Sequence, residues 1–227
     1  MGVSEEEFIQ GQIEKKNYRK KWLANAKKDK DHPINHGIHM DTHHLISAEA
    51  IKISNLGKSL VNKGYVIDSL NNLVGFPSTL PGACHLRTQL HRGDHIYARP
   101  DEEAYHDYVE SLLKFEKRAI KNCYGRTSVK EDSSAIHELL DPIGVKILNK
   151  INRFELPLTD IYLDYENGNS LGCRNSNDVS EARETNKSCD CERDHYSKID
   201  LKYQGSTQSW NKKTIKFVGG WTPKVGK

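Results

Sequence analysis

The stretch Thr42-His43-His44-Leu45-Ile46 sets two imidazoles side by side, ahead of an apolar pair. Successive side chains on an extended strand point to opposite faces. One ring can therefore bind a metal while the other faces a substrate. Forty-eight residues after His43, His91-Arg92-Gly93-Asp94-His95 repeats histidine at i and i+4. On a helix that spacing puts both rings on one face, about 5–6 Å apart at Cβ, which suits two ligands of one cation. Between them lies Ile67-Asp68-Ser69-Leu70-Asn71-Asn72-Leu73-Val74, and beyond them the aromatic run Tyr105-His106-Asp107-Tyr108.

Composition gives the same emphasis. The chain has 227 residues and 11 histidines, nine of them between His32 and His106. Lys+Arg number 34 against 31 Asp+Glu, so net charge neither demands nor excludes nucleic acid. Mean hydropathy is -0.75, but large apolar residues recur to the end, which excludes a disordered chain. Apolar runs are too short to span a membrane. The acidic start MGVSEEEFIQGQ lacks an apolar core, so no secretory signal peptide is expected. Five cysteines at uneven spacing argue against a disulfide framework.

Helical signals dominate. Residues 1–31 read as a helix capped by Ser4, with eight basic residues against two acids between Glu14 and Lys30. That patch, Lys20 and Lys21 included, is either a solvated face or a phosphate-contacting arm. Ser47 caps a second helix that runs through Leu60-Val61 to Gly64 as C′ residue. Tyr65-Val66-Ile67 is β-prone, and 68–77 reads as a loop with a short apolar piece. Further helices are predicted over 85–95 and 101–121. Over 135–151 there are one or two, broken at Pro142-Ile143-Gly144. The texture changes after Cys123, which divides the chain into 1–123 and a C-terminal extension, 124–227.

The ordered set His43, His44, Leu45, Ile46, then Ile67, Asp68, Asn72, Leu73, Val74 and Pro77, then His91, Gly93 and His95, with Tyr105 beyond, resembles the HNH (ββα-metal) nuclease superfamily. Within it, the set is similar to the group named for an Ala-His-His motif, found in bacterial polymorphic and secreted toxins. The resemblance spans roughly residues 40–115. Thr42 stands where Ala is usual and Ser47 where Pro is usual, and the gap from His95 to Tyr105 is long.

The resemblance implies an α+β fold: a helix-rich, treble-clef-like nuclease core with an N-terminal helical arm and a C-terminal mixed α/β extension. His44 would be the general base. His43, His91 and His95 would hold one divalent cation, Mg²⁺ or Zn²⁺, with Ni²⁺, Co²⁺ or Mn²⁺ as further options. Asn72 would tie the loop across the hairpin and help orient the base. Arg87 and Arg92 would contact phosphates, or form surface ion pairs. The expected activity is metal-dependent DNA hydrolysis with little sequence preference. The expected setting is a toxin domain made in the bacterial cytoplasm, delivered into a target cell by a type VI or contact-dependent system, and neutralised by an immunity protein. No membrane and no small-molecule cofactor is expected. The alternatives are an RNase of the same fold and a non-catalytic metal-stabilised binding module. Cys173, Cys189, Cys191 and His195 lie within 23 residues and match a structural Zn²⁺ in ligand type and count, but Cys189-x-Cys191 lacks the two-residue gap of a zinc knuckle, and free buried thiols or one adventitious disulfide are the alternative.

Overall fold

The computed structural model of the chain describes residues 17–78, 82–83, 86, 88–91, 95, 103–123, 134–158 and 221–227. The first half of the N-terminal helix predicted over 1–31, and most of the C-terminal extension, lie outside these residues.

The centre is an antiparallel hairpin. Strand β1 (Met40–His44) pairs with β2 (Leu73–Pro77) in the register Met40↔Pro77 to His44↔Leu73. The sequence reads 73–77 as loop because Gly75 and Pro77 weaken a strand. Gly75 has a specific cause. Helix α1 (Asn17–Ala26) lays its fully buried Trp22 on β2, and a Cβ on Gly75 would stand 2.1 Å from the indole Cζ2. On the outer edge of β2, a turn ending at 226–227 makes two backbone bonds to the strand. Gly75 N donates to Lys227 O at 2.8 Å and Gly226 N to Leu73 O at 2.6 Å. The edge is thereby covered rather than left open to other chains.

The hairpin separates two apolar clusters. Under α1 lie Trp22, Ala26, Ile38, Met40, Leu73 and Leu86. Trp22 and Ala26 are four residues apart on one helical face, so α1 is built into the core and is not a free arm over this span. His32 is 1% exposed and wedged between Trp22 and Trp221, with ring centroids 5.9 and 5.4 Å away.

The larger cluster lies on the other face. Ser47 caps α2 (Ala48–Ile53), its hydroxyl accepting from Ala50 N at 3.2 Å. The continuous helix predicted to Val61 is interrupted. Asn55 takes a left-handed φ of 57° before α3 (Gly57–Asn62) begins. Gly64, at φ 81°, closes α3 as predicted, with Tyr65 N bonded back to Leu60 O at 2.9 Å. Helix α4 (Tyr105–Phe115) packs on α2, burying Tyr105, Tyr108, Val109 and Leu113, and Glu116 separates it from α5 (Lys117–Asn122).

Helix α6 (Ser134–Asn152) runs unbroken through Pro142. An internal proline costs about 3 kcal/mol. Ile136, Leu140, Ile143, Ile147, Leu148 and Ile151 are all buried at helical spacing. At about 1.5–3 kcal/mol for each buried side chain, packing wins. These residues join α2, α3, α4 and α5 in one core, so the core continues across residue 123.

Two outcomes follow from this packing. Gly75→Ala should cost at least about 1–3 kcal/mol in urea unfolding, because Trp22 has no room to retreat. Burial pushes the His32 imidazole down to about 4. The unfolded chain then binds a proton that the folded chain refuses between about pH 6.5 and pH 4. Stability is full above pH 6.5 and falls as pH drops through that window. The fall should be smaller in His32→Gln when urea midpoints are compared at pH 7 and pH 4.5.

Candidate active site

Strand alternation divides the two adjacent histidines. His43 is 3% exposed and points toward Phe76 and Tyr105, with ring centroids 5.8 and 5.0 Å away. His44 points to the α1 side, where the Tyr18 ring lies 4.6 Å from it.

On the inner face, His43, His91 and His95 form a triangle. Their ring centroids are 4.9, 4.9 and 5.0 Å apart. One ring nitrogen from each lies within 4.8 Å of the others, so the three can hold one metal ion. The helix predicted over 85–95 does not carry this pair. His91 has no helical geometry and its N–H bonds to Pro77 O at 2.9 Å, while His95 has a left-handed φ of 61°. The chain brings the rings together by anchoring His91 to the end of β2 and turning sharply at His95.

Hydrogen bonds set which nitrogens carry lone pairs. The Tyr105 hydroxyl lies 2.6 Å from Leu45 O and 3.2 Å from His44 O, and carbonyls can only accept. Its proton goes to them, so its oxygen accepts from His43 Nε2–H at 2.7 Å. The lone pair of His43 is then on Nδ1, 3.1 Å from His91 Nε2. His95 donates Nδ1–H to Leu158 O at 2.5 Å, which leaves its lone pair on Nε2. Burial, with the neighbouring rings adding to it, holds His43 well below the usual histidine range and pushes His91 down to about 3. Both are neutral at pH 7, the state a metal ligand requires.

On the outer face, His44 Nε2 donates to Asp68 Oδ1 at 2.8 Å, and both side chains are mostly buried. The carboxylate accepts only, so the His44 lone pair is on Nδ1. Lys21 Nζ bonds Asp68 O at 3.3 Å, and exposed Lys20 adjoins it on α1. Burial and the nearby Asp68 and Asp41 carboxylates raise the Tyr18 hydroxyl. Asp41 itself pairs with Arg19 at 2.9 Å, apart from the histidine triangle.

Asn72 ties the loop across the hairpin. Its Oδ1 accepts from Ile46 N at 2.7 Å, and its Nδ2 donates to Ile46 O at 3.0 Å and Ile67 O at 2.9 Å. Among the described residues it makes no bond to His44; Asp68 is the group that holds that ring. Asp68 stands in the sequence motif without an evident task, because its pairing with a residue 24 positions away needs the fold to be seen. Tyr105 likewise reads only as an aromatic on a helix. Arg87, Arg92, Cys173, Cys189, Cys191 and His195 lie outside the described residues. Asn72→Ala would leave one buried N–H and two buried carbonyls unpaired. It should cost at least about 2 kcal/mol in urea unfolding. Asn72→Asp should also be destabilised, since it keeps only the acceptor.

A family model described as a nuclease family of the HNH/ENDO VII superfamily with conserved AHH matches residues 23–151, more than half of the chain. No curated protein and no solved structure matches it. The matched span contains the divided pair His43-His44, the Asn72 loop, His91, His95 and Tyr105, with Thr42 in the place of the family's alanine. The chain belongs to this AHH nuclease family of the HNH/ENDO VII superfamily, and it is an endonuclease that hydrolyses phosphodiester bonds.

Proposed function

We propose that the protein is a one-metal DNA endonuclease in which His43, His91 and His95 hold the cation and His44 is the general base. The observation that carries this reading is the division of the two adjacent histidines. One enters a triangle of imidazoles, and the other is paired on the opposite side with a carboxylate. Three imidazole nitrogens favour Zn²⁺, Ni²⁺ or Co²⁺ in softness. Mg²⁺ and Mn²⁺ are the oxygen-preferring options.

When bound, a divalent cation neutralises charge on the scissile phosphate and on the leaving 3′ oxygen. The remaining chemistry belongs to the chain. His44 Nδ1 takes the proton from the attacking water, and Asp68 stabilises the imidazolium that results. Tyr105 keeps His43 in the Nδ1 lone-pair form. Lys20 and Lys21 on α1 contact backbone phosphates, and Arg87 and Arg92 are assigned the same task on the resemblance. Such contacts give affinity without sequence preference, and they weaken steeply with salt.

The finer biological reading rests on the family resemblance. It makes the protein the toxic domain of a delivered antibacterial effector, held in check by a cognate immunity protein. No described helix is long and apolar enough to cross a membrane. Cys173, Cys189, Cys191 and His195 remain a proposed structural zinc site on ligand type and count alone.

Plasmid nicking tests the roles. Wild type should convert supercoiled DNA with added divalent metal and stop with EDTA. His44→Ala should lose about 10²–10⁴-fold in rate yet still bind metal. His91→Ala should lose both. A His44→Ala protein that cuts like wild type contradicts the assigned base. Cleavage of RNA with DNA spared contradicts the substrate while leaving the reaction class in place. Expression in bacteria should be toxic for wild type and harmless for His44→Ala if the effector reading holds.

A further inference from the structure

The bond from His95 Nδ1 leads out of the histidine triangle to Leu158, seven residues past the end of the family match. What fixes that carbonyl begins at the end of α6. Phe154 takes a left-handed φ of 60°, Phe154 N bonds Ile151 O at 3.0 Å, and Glu155 N reaches back to Lys150 O at 3.0 Å. This helix-closing turn reverses the chain. The reversed segment then runs past Gln89, which is 2% exposed.

Gln89 meets it with its whole amide. Its Nε2 donates to Ile151 O at 2.8 Å and Leu156 O at 3.0 Å, and its Oε1 accepts from Leu158 N at 2.9 Å. Both donors and the acceptor are spent on backbone groups of one short segment. Leu156 and Leu158 are buried in the main core, so the segment is anchored by side chains as well. The carbonyl that meets His95 therefore belongs to a residue held at its N–H by Gln89 and at its side chain by the core. Two residues beyond Gln89, His91 is anchored to β2 by its N–H to Pro77 O.

We propose that Gln89 is a positioning residue for the metal site: by clamping Leu156–Leu158 it fixes the carbonyl that holds His95 in the Nδ1–H tautomer with its Nε2 lone pair available to a cation. The inference rests on the reading of His43, His91 and His95 as the metal ligands. Its logic is that of an outer partner that sets a ligand's tautomer and ring direction. His95 needs such a partner more than a ligand on a regular element does. Its left-handed backbone is a sparsely populated state that persists only when the surroundings impose it. The third arm of the site consequently depends on chain beyond the region the family model covers.

A plain helix cap would give the same hydrogen bonds to Ile151 and Leu156, so stability alone does not separate the roles. The full-length chain is titrated with Co²⁺, followed by visible absorption, for wild type, Gln89→Leu and Gln89→Glu, alongside melting of the metal-free proteins. Gln89→Leu is expected to weaken Co²⁺ binding about 10–100-fold. At saturating Co²⁺ its kcat and its KM for plasmid should return to within a few-fold of wild type. Gln89→Glu, which keeps the acceptor for Leu158 N, should fall between them. Folded Gln89 variants with the wild-type Co²⁺ affinity overturn the inference, whatever their melting temperatures. Should neither variant fold, the ¹⁵N spectrum of the metal-free wild type decides. His95 protonated at Nδ1 supports the clamp, and His95 protonated at Nε2 overturns it. A wild type that takes up no Co²⁺ overturns the metal-site reading and this inference together. Wild-type binding with unchanged variant binding overturns the inference alone.

Discussion

Two consecutive side chains on a strand cannot face the same way, and the site of this protein is built on that rule. β1 sends His43 inward to His91, His95 and Tyr105 and sends His44 outward to Asp68 and Tyr18. A one-residue slip in register would exchange the two rings. Much of the surrounding structure serves to prevent that slip. Asn72 bonds both the N–H and the carbonyl of Ile46, just past the pair, and segment 221–227 fixes the far edge of β2. The side chain of Trp22, seated where Gly75 leaves room, sets α1 at the distance that brings Tyr18 onto His44.

The second recurring device is the acceptor that cannot donate. Leu45 O fixes the proton of Tyr105 and, through it, the tautomer of His43; Leu158 O fixes His95; the Asp68 carboxylate fixes His44. A neutral imidazole has one lone pair, and its place is decided by the partner of the other nitrogen. Three histidines thus have one ring nitrogen each tied to an acceptor. Burial keeps His43 and His91 neutral at pH 7, so neither ring repels a cation as an imidazolium, and His91 offers Nε2 once its proton sits on Nδ1.

How much of this was legible in the sequence depends on how local each cause is. The division of His43 from His44 needs only a strand. The Ser47 cap and the Gly64 helix end need only the adjacent turn. The grouping of His91 with His95 was legible, but its supposed cause was not. The i, i+4 spacing suits a helix, whereas the chain uses a left-handed turn at His95. β2 was hidden because its glycine and proline are local strand breakers, and the need for Gly75 arises from Trp22, over fifty residues away. Pro142 predicted a break that six buried apolar side chains outweigh. Asp68 and Gln89 could not be singled out in the sequence because their hydrogen-bond partners lie 24 to 69 positions away.

The central claim is that neighbouring histidines do different chemistry because a strand separates them. ¹⁵N-histidine NMR of the Zn²⁺-loaded chain tests it most directly. The account predicts metal-shifted nitrogens at His43 Nδ1, His91 Nε2 and His95 Nε2, with His44 unmetallated and still protonated at Nε2 toward Asp68. Metal-shifted resonances from His44, or a His43 ring that the ion leaves untouched, would contradict it.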